Sequence, residues 1–371
     1  MFIIERLISL LVFTSTLFVC MFFLSKIKKN YCKIVLFIYL ILLGLFASFF
    51  KPNVLDLSRL YDVCLRSYCQ YPWYRLKDFL EYSPVPIWHL YSWTIYHFTH
   101  NVNFLQTISC LWCFGNVFYI INDIIKRENI TSLYRALLLF SIMAVGTFYM
   151  EAISGIRSML SFSICCWCIY REMVQEKKLF FHIPLYVFAA LMHQVGTVIF
   201  VGRLISLVPL QKSYFRKILL SLLVIPLIVF AVRQGNFFLI SSFDLAHKYA
   251  SNTREYHMVQ ETIIGIVELI QVFYILLCYR LYGDKKLHNL WSFSLVLTVV
   301  SAGAIPISYA IFRRYTVMCS LLVLPLIGAL LVLPNRTTRN HFAFLLFLQS
   351  MLIFALSYSI GDMRFYQFLM W

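Results

Sequence analysis

The feature that most constrains this chain is a succession of apolar runs of roughly twenty residues, separated by short basic connections. A run of that length can cross hydrocarbon as a helix, because a helix satisfies its own backbone N–H and C=O groups where no water is available. The runs lie near 3–24, 33–50, 103–122, 133–151, 157–171, 180–192, 195–210, 218–233, 260–279, 289–309, 315–333 and 342–360. The expected fold is all-α: a polytopic integral membrane protein with about 12 transmembrane helices (11–13) plus an interfacial helix. About twelve spans use about 240 of the 371 residues, so residues 1–371 read as a single membrane domain with no room for a soluble catalytic one. Composition agrees. The chain is 61% hydrophobic and 13% charged, whereas a soluble domain is about 45–50% apolar and about 25% charged. No GxxxxGK[ST] loop is present, which argues against ATP-driven chemistry.

The net charge of +16 would suit nucleic acid only if the cations shared a face. They are scattered between apolar runs instead, as expected when loop charges set topology. The first run, Ile3 to Leu24, is too long for a signal-peptide core and reads as a retained span followed by Lys26, Lys28, Lys29 and Lys33. With those lysines cytoplasmic, alternation puts Lys126, Arg127, Arg171, Lys177, Lys178, Lys212, Arg216, Lys217, Arg280, Lys285, Lys286, Arg336 and Arg339 on the same side. Both termini and the two large loops, 51–83 and 234–259, then fall outside. The segment 84–100 is short and rich in Trp, Tyr and His, so it reads as an interfacial or re-entrant aromatic helix.

Charges at span edges are costly and therefore informative. Glu151 and Arg157 flank the outer junction of two spans, either as an ion pair or with Arg157 as an anion site. His193 stands at an outer break between two runs, as a hydrogen-bonded turn residue, a general base or a substrate contact. Arg313, Arg314 and Tyr315 read as a tight outer turn, either a second anion site or a contact for lipid headgroups. Asp56 and Arg59 are three residues apart, an ion pair or an acid reaching sugar hydroxyls. Glu261 and Glu268 share a helical face and are expected to pair inside the bundle. Cys110, Cys113, Cys165, Cys166 and Cys168 read as packing residues, not metal ligands. Cys64 and Cys69 share an outer loop where a disulfide is open to them. His97 and His100 fit the interfacial helix better than a metal site, and no metal or cofactor is called for.

Several of these features, in order, resemble the EpsG-like branch of Wzy-type O-antigen and exopolysaccharide polymerases. Lys51 follows the second span, and Asp56-Leu-Ser-Arg-Leu-Tyr61, with Arg59 inside it, looks like that family's first-loop motif. Pro84-Val-Pro86 precedes the aromatic helix, Gly155-Ile-Arg157 opens a span, Ala189 to His193 follows, and Arg314-Tyr315 starts a late span. The family pattern is departed from at Ser158-Met159, where Gln and a small residue are usual, and at Lys51-Pro52-Asn53, where Arg and Gly are usual.

The resemblance implies a fold similar to GT-C glycosyltransferases and substrates that are undecaprenyl-pyrophosphate-linked oligosaccharide repeat units. It implies glycosyl transfer in the bacterial inner membrane, with the site facing the periplasm, alongside a chain-length regulator and a flippase. Arg157 with Arg313 or Arg314 would hold the pyrophosphate. His193 is the first choice for the base and Glu151 or Asp56 the second; Arg59, Tyr61 and Tyr315 would contact substrate. A flippase of the same lipid-linked sugars, a membrane O-acetyltransferase and a single-sugar transferase are the competing readings.

Overall fold

The computed structural model describes residues 2–49, 76–77, 80–81, 83, 85–101, 103–145, 149, 152–153, 155–207, 255–305 and 309–359. The regular structure among these residues is helical. In the first half the helices are α1 (Phe2–Lys26), α2 (Cys32–Ser48), α3 (Pro86–Thr99), α4 (Asn103–Arg127), α5 (Ser132–Met143) and α6 (Ile156–Met173). Then follow α7 (Ile183–Met192), α8 (Gln194–Leu207), α9 (Glu255–Tyr282), α10 (His288–Gly303), α11 (Tyr309–Leu322), α12 (Leu324–Leu330) and α13 (Arg336–Ser359).

Among the described residues, four helical stretches are long and apolar enough to cross a bilayer: Lys29–Ser48, Asn103–Arg127, Thr262–Tyr282 and Arg336–Ser357. A fifth arises if α11 and α12 form one span, broken at Val323 and bent by 40°. Pro325 explains the break, since it lacks an N–H and sits in the first turn of α12. The apolar runs are therefore not uniform spans. Of the run 133–151, the described residues form α5 over Ser132–Met143, and part of its end lies outside the described residues. The runs 180–192 and 195–210 yield α7 and α8, ten and 14 residues long. At 1.5 Å per residue α7 reaches about 15 Å, and the described part of α8 about 21 Å. The run 218–233 and the loop 234–259, up to its last few residues, lie outside the described residues, as does 51–75.

The outward faces are apolar. On α2 they carry Ile34, Phe37, Ile38, Ile41 and Leu45, and on α13 Phe344, Leu345, Phe347, Leu348 and Met351, all exposed. A stripe at helical spacing that faces away from the core is what lipid tails cover. The long apolar helices and these faces together describe a membrane protein.

Helix α6 is the hub, with fourteen of its 18 residues buried. It packs against α4, α7, α8, α10 and α11. Its serines permit close approach: Ser161 Oγ donates to the Ala189 carbonyl of α7 at 2.9 Å. Gly196 of α8 makes the same crossing possible. A Cβ there would stand 2.5 Å from the Ala189 backbone and from Ser161 Oγ.

The basic connections gather at one end. Lys29 Nζ donates to Asn129 Oδ1 at 2.9 Å, and Arg135 Nη1 donates to the Ile27 carbonyl at 2.8 Å. Arg127 donates to the Val174 carbonyl, and Tyr134 donates to Asn340 Oδ1 at 2.7 Å. These contacts tie the connections after α1, α4 and α6 and the start of α13 together. The opposite end holds the start of α6 and the junction of α7 with α8.

Candidate anion-binding site

Helices α7 and α8 form a hairpin whose tip is His193. The ten residues of α7 climb α6 from its basic end, and α8 returns beside them. At the root, Glu172 of α6 holds both legs. Its Oε2 accepts from Arg203 Nε of α8 at 2.7 Å, and its Oε1 lies 3.5 Å from Nδ1 of His182, the residue before α7. All three side chains are almost fully buried.

At the tip the chain turns extended, with φ −156° and ψ 140° at His193. Val195 N–H donates to His193 Nδ1 at 3.2 Å, so the ring caps the start of α8. Two guanidinium charges act on this imidazole, that of Arg314 from α11 and that of Arg157 from the first turn of α6. Desolvation first, and those two charges second, hold His193 well below the ordinary histidine range.

Helix α3 closes the same place from the side. The Arg157 guanidinium carbon lies 5.8 Å from the Trp88 ring centroid, a cation–π distance that fixes the guanidinium plane. His89 is the next residue, and burial together with the Arg157 charge lowers it to about 4. Arg157, His89, His193 and Arg314 are all half-buried. Two permanent cations and two imidazoles held neutral suit a ligand with several anionic oxygens. A guanidinium offers a planar fork of donors that matches phosphate.

The expected site residues thus separate into those brought together and those placed elsewhere. Arg157, His193 and Arg314 converge. Tyr315 is buried next to Arg314, edge-on to Phe162 of α6 at 6.1 Å between ring centroids. Arg313 turns the other way, is buried, and makes a two-pronged ion pair with Glu268 of α9; its Nη2 donates to Oε1 at 3.0 Å. The expected outer turn at 313–315 is instead helix interior, because α11 begins at Tyr309. Adjacent residues on a helix point about 100° apart, which sends the two arginines to different neighbours. The inward pairing expected for Glu268 is observed. Asp56, Arg59, Tyr61, Asp62, Cys64, Cys69, Glu151, Asp362 and Arg364 lie outside the described residues, as does the side chain of Glu261.

Reading the sequence missed four participants. Trp88 and His89 were absorbed into an aromatic helix, although a histidine directly after Pro86-Ile-Trp88 was a signal for more than an interfacial belt. Glu172 and Arg203 are each an ionisable group in or at the edge of an apolar run, which is the signal that marks them. Among the described residues no three His, Cys, Asp or Glu side chains converge as a metal site would need.

No curated protein and no solved structure matches this chain. The family model described as EpsG family matches residues 66–370, which contain the aromatic helix, the hub helix α6, the hairpin and Arg314. Since that match covers well over half of the chain, the protein belongs to the EpsG family, a family of Wzy-like polymerases.

Proposed function

We propose that this protein polymerises undecaprenyl-pyrophosphate-linked oligosaccharide repeat units, for O-antigen of lipopolysaccharide or a related surface polysaccharide. The observation that carries the proposal is the meeting of Arg157 and Arg314 at the His193 tip, at the end opposite the basic connections. Basic connections stay cytoplasmic, so a site at the other end opens to the periplasmic face of the bacterial inner membrane.

The chemistry asks for what this site holds. An acceptor sugar hydroxyl attacks C1 of the growing glycan, the new O–C1 bond forms, and the bond from C1 to the pyrophosphate oxygen breaks. The electron pair of the breaking bond leaves on the pyrophosphate. Cations already in place where that charge develops lower the barrier, and removing one such donor costs about 10²–10³ in rate. Arg157 and Arg314 take this role, with Trp88 holding the Arg157 plane. In this reading the exposed lipid-facing helices receive the carrier from the bilayer, and a chain-length regulator and a flippase are the partners.

A deletion strain of the source bacterium tests the proposal, with its lipopolysaccharide resolved on a gel. The expected result is core carrying a single repeat unit and no ladder, restored by the wild-type gene. Core with no repeat unit would indicate a flippase instead, and an unchanged ladder an acyl-transfer enzyme. In the complemented strain, Arg157→Ala and Arg314→Ala are each expected to lose the ladder while the protein still inserts at normal levels.

A further inference from the structure

His193 has its role at the tip fixed by one hydrogen bond. A neutral imidazole carries one donor nitrogen and one acceptor nitrogen. Nδ1 is the acceptor, because Val195 N–H points at it from 3.2 Å away. The proton of the neutral ring therefore sits on Nε2, the nitrogen left for a ligand. The opposite tautomer would set Nδ1–H against Val195 N–H and uncap α8 at the bend that forms the hairpin tip.

Among the described residues, the two charges that act on the ring press in the same direction. Arg157 of α6 and Arg314 of α11 both act on it, and His89 of α3 stands beside Arg157. The carboxylate of Glu172, with His182 and Arg203, lies at the far root of the hairpin. A ring that took a second proton would become a third cation beside two guanidiniums.

We propose that His193 works as a fixed hydrogen-bond donor, through Nε2–H, to an oxygen of the phosphate-bearing leaving group, and not as the base for the acceptor hydroxyl. The identity of that oxygen rests on the polymerase reading; the donor assignment does not. In the transfer step the acceptor O–H and the C1–O bond to pyrophosphate break, and the acceptor O–C1 bond forms. The leaving electron pair settles on the pyrophosphate oxygen met by Nε2–H and the guanidiniums. The hydroxyl proton passes through water to the departing pyrophosphate, which balances the step.

The first measurement reads the tautomer directly. Full-length protein labelled with ¹⁵N-histidine is reconstituted in lipid, and its solid-state NMR spectrum is compared with that of His193→Gln to isolate the ring. The expected result is a bare Nδ1 and a protonated Nε2, unchanged across the neutral pH range. A protonated Nδ1, or an imidazolium at neutral pH, overturns the proposal.

The second measurement uses polymerisation of lipid-linked repeat units in proteoliposomes, followed against pH. Gln can place an amide N–H near the position of Nε2, whereas Asn keeps a cap for α8 but reaches less far. His193→Gln is expected to stay within about tenfold of wild type and His193→Asn to fall about 10²-fold. Both should keep the wild-type acid limb of the rate profile. An acid limb that vanishes with His193, and a Gln variant as inactive as the Asn one, would make the residue a base. If the wild-type protein elongates nothing, the polymerase reading fails, and the NMR result still decides whether Nε2 is a donor.

Discussion

Arg313 and Arg314 are neighbours in sequence with separate tasks, which substitution can tell apart. Arg313 and Glu268 are both buried, so removing one leaves a stranded charge, at a cost of about 3–5 kcal/mol. Arg313→Leu alone is expected to lower the folded yield in detergent, measured by size-exclusion and thermal shift. The double variant Arg313→Leu with Glu268→Leu should recover much of that yield, since paired removal is often neutral. Recovered activity in the double variant would show that Arg313 serves the fold; a folded but inactive one would return it to the site. His89 gives a second residue-scale expectation, with a sign fixed by linkage. Its value of about 4 lies below the ordinary 6.5, so between those pH values the unfolded residue binds a proton that the folded one does not. That contribution is complete above about 6.5 and is lost as pH falls to about 4. The melting temperature of the wild type should fall more steeply across this window than that of His89→Gln; parallel curves would remove the assignment.

The element that matters most is the α7–α8 hairpin. Its legs cross α6 where Gly196, Ala189 and Ser161 meet, and the atoms a new Cβ would strike include backbone. Gly196→Ala therefore forces the legs apart, at about 1–3 kcal/mol, and moves the His193 tip. The expected outcome is folded protein with a reduced melting temperature and a disproportionate loss of polymerisation. Unchanged activity would show that the crossing does not set the tip. At the root, Glu172→Gln leaves the buried Arg203 without a charge partner. Its effect on activity should appear in kcat more than in KM if the proposed site at the far end of the hairpin meets the substrate, and Glu172→Asp should restore part of it. The runs 180–192 and 195–210 with a break at His193 already outline this element, and what the sequence could not show is how its legs meet α6. Pro184 announces the start of α7, but its end rests on an extended backbone at a histidine, which no propensity demands.

At the scale of the whole molecule, the basic connections and the candidate site occupy opposite ends. Cysteine labelling tests that arrangement. The nine described cysteines are all buried, so with Cys64 and Cys69 replaced by serine the background with a membrane-impermeant maleimide should be low. Cysteines placed at Lys28 and Lys177 should react only after the inner membrane is opened, and one placed at His100 should react before. Equal reactivity at all three would overturn the orientation.

Long apolar runs determined by themselves that the chain is helical and lives in a bilayer, because unpaired backbone in hydrocarbon is too costly for any other local solution. The same patterning showed that the basic connections share a side, and local motifs marked Arg157, His193 and Arg314 as candidates. The inward turn of Arg313 toward Glu268, the crossing of the hairpin legs on α6, and the seating of Trp88 and His89 against Arg157 were not legible. Each depends on which helix faces become neighbours, and apolar periodicity says that a face is buried without saying against what. Only the tertiary structure, by packing α7, α8 and α11 on α6 and α3 on α4 and α7, decided which polar groups meet at the candidate site.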